Sequence, residues 1–316
     1  MGSGISTEYE FEANVYALAV CGSNLYAGGS FTEVGGLSAN NIAQWNGNSW
    51  SALGSGINGR VSALAVSGSD LYVGGAFDMA GNVPAANVAK WNGSAWSALG
   101  SGMNGAVTAL AVSPTKLYVA GNFTTPSPNI AQWNGSSWSD LGLGVDGFVN
   151  GLAVSGDNLY VGGQFSTVGG IPANSIAEWN GSTWSPLGSG VNSGAGQVSG
   201  VGALALDSSG NLYVSGGFTM AGTNVSAYIA KAILTGPTPN QLLLANAGGG
   251  TNVFTYLGTP GGNYALDLAT SLTPPVNWMP QTTNTASIGN VATAGYLMLT
   301  NSNHQPQAYY RTRSVP

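Results

Sequence analysis

Short apolar runs recur along this chain at nearly constant spacing. Each run pairs an apolar residue with tyrosine and small residues and ends on glycine. It occurs five times: Leu25–Gly29, Leu71–Gly75, Leu117–Gly121, Leu159–Gly163 and Leu212–Gly216. The first three copies are separated by 46 residues, as the glycines at 29, 75 and 121 show. A period of this length is typical of proteins that stack copies of one supersecondary unit.

A second motif, Trp-Asn-Gly-x-x-Trp, follows the first in four of the five repeats. It contains eight of the nine tryptophans: Trp45 and Trp50, Trp91 and Trp96, Trp133 and Trp138, and Trp179 and Trp184. The Asn-Gly pair predicts a tight hairpin, because both residues tolerate a positive φ. The fifth repeat lacks this motif and has Ala232 where the first tryptophan would stand.

One repeat, read in detail, predicts four short strands. They are 61–66, 71–75, 87–91 and 96–99. The first of these strands is almost entirely small and apolar, so we expect it to be buried on both faces. Four antiparallel strands per repeat favour a β-propeller, in which each blade covers the apolar face of the next. An open β-solenoid is the competing architecture.

The predicted fold is therefore all-β, with a five-bladed β-propeller of four-stranded blades and a small C-terminal β-sandwich-like domain. The predicted bounds are 1–234 for the propeller, 235–240 for a linker and 241–316 for the C-terminal module. The alternating segment 8–13 is a candidate for the missing fourth strand of the fifth blade. The alternative for that segment is a loop variant, since residues 192–200 form an insertion at the equivalent place.

These motifs resemble known repeat families. The apolar strand, the Gly-Gly ending and the tryptophan-bearing fourth strand resemble the kelch repeat. They are still more similar to repeats of bacterial secreted propellers and of fungal Rax2-type cell-surface polarity proteins. The resemblance covers residues 14–234 and implies a propeller fold, while it says little about function.

From Gln241 onward the repeat is absent. The segment 258–266, Trp278 and the ending Tyr309-Tyr310-Arg311 resemble a C-terminal β-sandwich-like module of secreted proteins from Verrucomicrobia and related bacteria. That resemblance implies an accessory domain for surface attachment.

Charge and composition exclude several classes of function. The chain of 316 residues has 6 Lys and Arg against 12 Asp and Glu, for a net charge of −6. So few basic residues do not form a nucleic-acid-binding surface. No apolar run reaches the ~20 residues that a membrane-spanning helix needs. The richness in Asn, Ser, Thr, Gly and Trp is typical of secreted bacterial proteins, so we expect an extracellular or cell-surface location.

Candidate catalytic chemistry is sparse. The one histidine, His304, stands in a polar stretch, and no Gly-x-Ser-x-Gly motif accompanies it. Asp70, Asp157 and Asp207 recur in the turn between the first two strands, where turn formation explains them; calcium binding or catalysis is the alternative. We therefore predict no enzyme activity, no catalytic residue, no metal site and no cofactor.

Binding through the propeller loops is the predicted function. The candidate ligand-binding residues are the Trp-Asn pairs of the hairpins: Trp45, Asn46, Trp91, Asn92, Trp133, Asn134, Trp179 and Asn180. Aromatic faces with amide groups suit a glycan, and the other candidate partner is a cell-surface protein. The structural interpretation is that the tryptophans pack between blades and the asparagines form turns. The alternative function is a structural subunit of a bacterial surface layer or filament, self-associating through edge strands. A glycan-active enzyme ranks third.

Overall fold

The chain forms two compact units, Met1–Ile233 and Leu234–Pro316. The computed structural model describes residues 4–7, 12–193 and 200–233, together with the backbone of six strands in the second unit. The structure does not describe residues 8–11, residues 194–199 of the insertion at 192–200, Trp278 or His304, so the predictions that concern them stay predictions. The predicted domain bounds, 1–234, 235–240 and 241–316, also stay predictions.

The described residues of the first unit form five main antiparallel sheets, one for each sequence repeat, and we call them sheets one to five. Sheets one to four each pair four strands in the order in which the chain makes them. Sheet one consists of Asn14–Cys21, Asn24–Ser30, Ile42–Trp45 and Trp50–Ala52. Sheet two consists of Arg60–Ser67, Asp70–Ala76, Val88–Trp91 and Trp96–Ala98.

The remaining repeats follow the same plan. Sheet three consists of Val107–Val112, Leu117–Gly121, Ile130–Trp133 and Trp138–Ser139. Sheet four consists of Phe148–Ser155, Asn158–Gln164, Ile176–Trp179 and Trp184–Pro186. Sheet five, within the described residues, has three strands, Val201–Leu206, Asn211–Gly216 and Ile229–Ile233. The all-β class and the four-stranded repeat are thereby confirmed.

Small ladders join sheets one, two, four and five to the linker that enters each of them. They lie in the segment between the second and third strands, which the sequence indicated only as a loop. The pairs are Glu33–Val34 with Leu37–Ser38, Met79–Ala80 with Val83–Pro84, Thr167–Val168 with Ile171–Pro172, and Met220–Ala221 with Asn224–Val225. Linker strand Ile5–Ser6 pairs with the ladder of sheet one, and linker strand Val191–Asn192 pairs with that of sheet five. Single bridges from Ile57 and Val145 join the linker to the ladders of sheets two and four.

The strands of sheet two differ from the predicted ones at their ends and in burial. The first strand is Arg60–Ser67 and the second is Asp70–Ala76, each one residue longer at both ends than predicted. The first strand is only partly buried rather than buried on both faces. A β-bulge between Val61 and Ala63 shifts its register, and a bulge of this kind twists a strand locally.

Neighbouring sheets interlock at glycine. A methyl group on Gly28 of sheet one would overlap the Cγ1 methyl of Val61 in sheet two. The same overlap would arise between Gly74 and Val107 and between Gly162 and Val201. The second strand of each sheet therefore accepts the first strand of the next, and close backbone approach explains why small residues end the second strand.

The outer faces of the two terminal sheets are exposed. In sheet one, Leu18 is 62% exposed and Val20 is 66% exposed, although their counterparts in sheet two are partly buried. In sheet five, Ile229 is 61% exposed, whereas its counterparts Ile42 and Val88 are completely buried. The predicted closure into a ring of five blades is not confirmed, because the two faces that would meet in such a ring are exposed.

The second unit contains two antiparallel three-stranded sheets. One sheet pairs Gln241–Asn246, Asn252–Gly258 and Gly295–Asn301 in that order. The other places Asn263–Ala269 between Met279–Thr285 and Tyr309–Val315. The β content agrees with the prediction for this region, while the sandwich arrangement is not confirmed. In the part of the chain that the structure describes, no helix has the length and apolar character needed to cross a bilayer.

Candidate functional site

The four Asn-Gly hairpins are held by their own asparagines. In sheet two, the Oδ1 of Asn92 accepts hydrogen bonds from the backbone N–H of Ser94 and of Ala95, at 3.0 and 2.9 Å. The backbone N–H of Asn92 donates to the carbonyl oxygen of Ala95. Gly93 has a φ of 94° and supplies the left-handed step, so only the glycine uses the positive φ that we had expected of both residues. The equivalent asparagines, Asn46, Asn134 and Asn180, make the same bonds.

The tryptophans of each hairpin form a cross-strand aromatic pair. In sheet two the ring centroids of Trp91 and Trp96 lie 5.1 Å apart with planes tilted by 52°. The pairs of the other three four-stranded sheets have nearly the same geometry: Trp45 with Trp50, Trp133 with Trp138, and Trp179 with Trp184. Trp91 and Trp179 are buried, whereas Trp45 and Trp133 are partly exposed. Tilted pairs at this distance contribute to stability beyond the area that they bury.

In sheets two, three and four, the second tryptophan of the pair also joins neighbouring sheets. The indole Nε1–H of Trp96 donates to the carbonyl oxygen of Leu53, which follows the last strand of sheet one. The corresponding bonds run from Trp138 to the carbonyl of Leu99 and from Trp184 to the carbonyl of Leu141. These bonds span 2.7–3.0 Å. The tryptophans therefore serve inter-sheet packing, and the ligand-binding role of the eight hairpin residues stays a prediction.

One cleft brings a hairpin tryptophan to an open surface. It has a volume of about 190 Å³ and lies between sheets two and three at the hairpin end. Tyr72, Trp133 and Gly135 line it together with the turn that holds Lys116. Two aromatic side chains and one cation therefore border the same opening. A ligand could stack on the aromatic rings while the cation fixes its orientation.

Two of the three recurring aspartates, Asp70 and Asp207, are engaged in the fold. The carboxylate of Asp70 forms an ion pair of 3.0 Å with the ammonium of Lys90. Asp207 closes its own turn by accepting hydrogen bonds from the backbone N–H groups of Ser209 and Asn211. The side-chain amide of Asn211 lowers the pKa of Asp207 most, and its backbone N–H adds to this effect. No cluster of three or more potential metal ligands occurs among the described residues.

A second, polar cleft of about 470 Å³ lies at the opposite end of the sheets. Asp146, Gln164, Asn174 and Asn192 line it. The Oδ1 of Asp146 accepts hydrogen bonds from two backbone N–H groups of the adjoining loop, both at 2.9 Å. Burial acts to raise the pKa of Asp146, but the hydrogen bonds from this loop outweigh it and hold the pKa below its ordinary value. Asp146 therefore clamps its loop as an ionised acceptor.

Sequence reasoning missed a set of asparagines that join the sheets. Asn41, Asn87 and Asn129 precede the third strand in sheets one to three and have φ values of 61–63°. Each donates from Nδ2 to a carbonyl of the linker that leads to the next sheet. Ser175 and Tyr228 hold the equivalent left-handed positions in sheets four and five. The sequence signal for these positions is an asparagine directly before the Ile or Val that begins the third strand.

A comparison with solved structures gives a distant match. The crystal structure of the computationally designed Ika4 protein is 15% identical and aligns with 57% of this chain and 94% of its own, at a TM-score of 0.38. None of the curated proteins matches the chain in sequence.

A family model gives a direct assignment. The model of the Rax2 C-terminal beta propeller domain matches residues 7–154 and again residues 63–209. The two matches overlap over residues 63–154, about two repeats, as expected when one repeated unit can be aligned in more than one register. Together they extend from residue 7 to residue 209, which is well over half of the 316 residues. By its repeats, therefore, this chain belongs to the Rax2 C-terminal beta propeller domain family.

Proposed function

We propose that this protein is a non-catalytic recognition or adhesion protein that acts at the cell exterior. Membership in a propeller family is consistent with a binding role. The observation that carries the proposal is the cleft between sheets two and three, where Tyr72 and Trp133 form an aromatic wall at the hairpin end.

The ion pair and hydrogen bonds made by three aspartates support binding rather than catalysis. Asp70 is paired with Lys90, and Asp146 and Asp207 accept hydrogen bonds from their own loops. A general acid or nucleophile needs a group directed at a substrate, whereas these carboxylates are directed at the fold. Aromatic surface is what remains available, and it suits a glycan or the surface of a protein partner.

Binding to glycan arrays and to immobilised cell-surface proteins tests the proposal. The Trp133→Phe variant reduces the aromatic wall of the cleft and is expected to weaken binding about tenfold. Trp179→Phe is the matched control, because it makes the same change at the equivalent position of sheet four, away from the cleft. Equal binding by both variants, or cleavage of a bound glycan, would contradict the proposal.

A second candidate function is a structural subunit that assembles from copies of this chain. The exposed faces of sheets one and five favour it, because they correspond to the two halves of every internal sheet interface. Val15 and Leu18 occupy the positions of Val61 and Leu64, which pack against Gly28. A head-to-tail contact of this kind leaves one free face at each end of the assembly. The copies form a ring when the rotation between them closes, and otherwise they extend into a filament.

Light scattering and electron microscopy of the purified chain test this second candidate. Leu18→Lys is expected to abolish concentration-dependent assembly by placing a charge in the contact. The control is Leu143→Lys, because Leu143 is 74% exposed outside the face of the first strand. A monodisperse monomer for the parent chain at high concentration would rule this candidate out.

A further inference from the structure

Sheet five lacks, within the described residues, the fourth strand that completes each earlier sheet. Its third strand, Ile229–Ile233, pairs with Asn211–Gly216 on one side. In sheet two the corresponding third strand pairs on both sides and meets the fourth strand through Trp91 and Trp96. The outward edge of Ile229–Ile233 therefore presents backbone groups that can pair with another strand.

The walls of a tryptophan socket persist beside this edge. In the earlier sheets Trp96 packs against Gly54 and Gly81, and Trp184 packs against Gly142 and Gly169. The equivalent glycines near sheet five, Gly188 and Gly222, keep the same left-handed backbone. Their φ values are 60° and 62°, against 60° and 58° for Gly54 and Gly81.

What differs at sheet five is the content of the socket. A methyl group on Gly188 would have no heavy atom within 4 Å, whereas one on Gly54 would contact both indoles of the pair in sheet two. A cleft of about 320 Å³ lies here, lined by Leu187, Gly188, Gly222 and residues 230–232 of the third strand. Leu187 is partly exposed, although its counterparts Leu53, Leu99 and Leu141 are buried to 3% or less.

We propose that this cleft, which we call the indole socket, binds a tryptophan-bearing β-strand supplied by another polypeptide chain. The strand pairs with the edge of Ile229–Ile233, and its indole enters between Gly188 and Gly222. The site differs from the hairpin-end cleft of the proposed function and does not depend on it.

The chemistry of the socket specifies an indole. In three earlier sheets the tryptophan Nε1–H donates to the carbonyl of the leucine that follows the fourth strand of the preceding sheet. The Leu187 carbonyl is the equivalent acceptor. It already accepts a bond from the N–H of Gly190, as the Leu53 carbonyl accepts one from Gly56. A carbonyl oxygen has two lone pairs, so the second bond is available to the incoming indole.

The source of the strand follows from the topology. The tryptophan-bearing fourth strands Trp50–Ala52, Trp96–Ala98, Trp138–Ser139 and Trp184–Pro186 are all paired within their own sheets. A tryptophan-bearing strand that enters the socket therefore comes from outside these four, and segment 8–13, the other candidate for the edge, contains no tryptophan. Pairing of an extended peptide with a sheet edge, with side chains entering pockets, is an established mode of recognition.

The test uses the full chain and a labelled peptide with the sequence of residues 94–101, followed by fluorescence anisotropy. The parent chain is expected to bind this peptide, and replacing the peptide's tryptophan by alanine is expected to weaken binding at least tenfold. The Ala232→Trp variant restores the cross-strand aromatic partner seen at Trp91. It is expected to tighten binding by about 2- to 10-fold.

The matched control is Tyr213→Trp, which adds an indole to the neighbouring strand at the position paired with Lys231, outside the cleft lining and on the face opposite Ala232. It is expected to leave the affinity unchanged. Equal binding of the alanine peptide, or tightening by both tryptophan variants alike, would overturn the proposal. Absence of binding by the parent chain would overturn the proposal as well. If a Trp278→Ala variant then bound the peptide, the chain itself would be shown to fill the socket.

Discussion

The side-chain amide of Asn87 donates a hydrogen bond of 2.9 Å to the carbonyl oxygen of Met103. Asn87 belongs to sheet two, and Met103 lies in the linker that leads to sheet three. The Oδ1 of the same amide accepts a bond of 3.2 Å from the backbone N–H of Phe77. One residue with a φ of 63° thus fixes both the loop of its own sheet and the entry to the next.

Asn87→Ala is expected to destabilise the first unit by about 3–4 kcal/mol. The change removes two partly buried hydrogen bonds, each contributing about 1 kcal/mol, and places alanine in the left-handed region at a cost of about 1–2 kcal/mol. Urea denaturation followed by circular dichroism measures the loss. Asn87→Gly separates the two effects, since glycine removes the bonds without the strain; equal losses for both variants would show that strain plays no part.

Ser175→Asn is expected to stabilise the chain. Ser175 holds the same left-handed position in sheet four, with a φ of 65°. Asparagine adopts this conformation more readily than serine, and it would place an amide near the linker carbonyl of Val191. A gain of about 1 kcal/mol raises the Tm of a unit of this size by about 2–4 °C. Differential scanning calorimetry measures the shift, and a lower Tm would contradict the inferred equivalence of the positions.

The two tryptophans of sheet two are expected to respond differently to the same substitution. The Nε1–H of Trp96 donates to Leu53, whereas the Nε1 of Trp91 is buried without a hydrogen-bond partner. Both changes to phenylalanine lose packing area, but only Trp96→Phe also loses a hydrogen bond. We therefore expect Trp96→Phe to cost about 1 kcal/mol more than Trp91→Phe in urea denaturation.

Sheet four supplies the control for this comparison. Trp184 donates to Leu141, and Trp179 is buried without a partner for its Nε1. Trp184→Phe should therefore cost more than Trp179→Phe by a similar margin. A reversed order in either sheet would show that packing, rather than the indole hydrogen bond, decides the outcome.

Acid is expected to weaken the loop clamp at Asp146. The pKa of Asp146 in the folded chain lies below its ordinary value of 3.8, because the hydrogen bonds from Ser166 and Thr167 outweigh the effect of burial. The ionised group therefore stabilises the fold fully at pH values above the unfolded pKa, and this contribution is lost as the pH falls through the folded pKa. We expect the Tm to fall below about pH 4, as thermal unfolding at a series of pH values would show.

Asp146→Asn isolates this contribution. The equivalent residues Asn58 and Asn104 accept the same two backbone hydrogen bonds through Oδ1, so the variant keeps the clamp without the titrating group. Its Tm should decline less than that of the parent chain between pH 5 and pH 3. Parallel pH profiles would mean that other carboxylates account for the acid sensitivity.

The repeated strands were predictable because their apolar pattern and their turn residues agree. Asn92-Gly93 and the run that ends at Gly75 each determine local geometry without help from distant residues. The linker ladders, such as Met79–Ala80 with Val83–Pro84, were not predictable in this way. They have two residues per strand and are stabilised by a linker that approaches from the preceding repeat.

The candidate site was predictable only in part. The sequence places Trp and Asn at the hairpins, but it does not distinguish a tryptophan that faces a cleft from one that faces the next sheet. Trp133 and Trp179 occupy equivalent positions, yet only Trp133 lines the cleft with Tyr72. That difference depends on Tyr72 of sheet two, which lies opposite Trp133 and the Lys116 turn of sheet three, so it arises from packing between repeats.

The left-handed positions before the third strands also set an order of unfolding. Asparagine holds this position in sheets one to three, serine follows in sheet four, and Tyr228, a bulky residue for which a φ of 67° is costly, ends the series. In linear arrays of repeats, each unit is stabilised mainly by its neighbours, so melting starts at the weakest unit and spreads. Amide hydrogen exchange should therefore be fastest in sheet five and become progressively slower toward sheet two. Unfolding would then begin at the end of the unit that carries the indole socket.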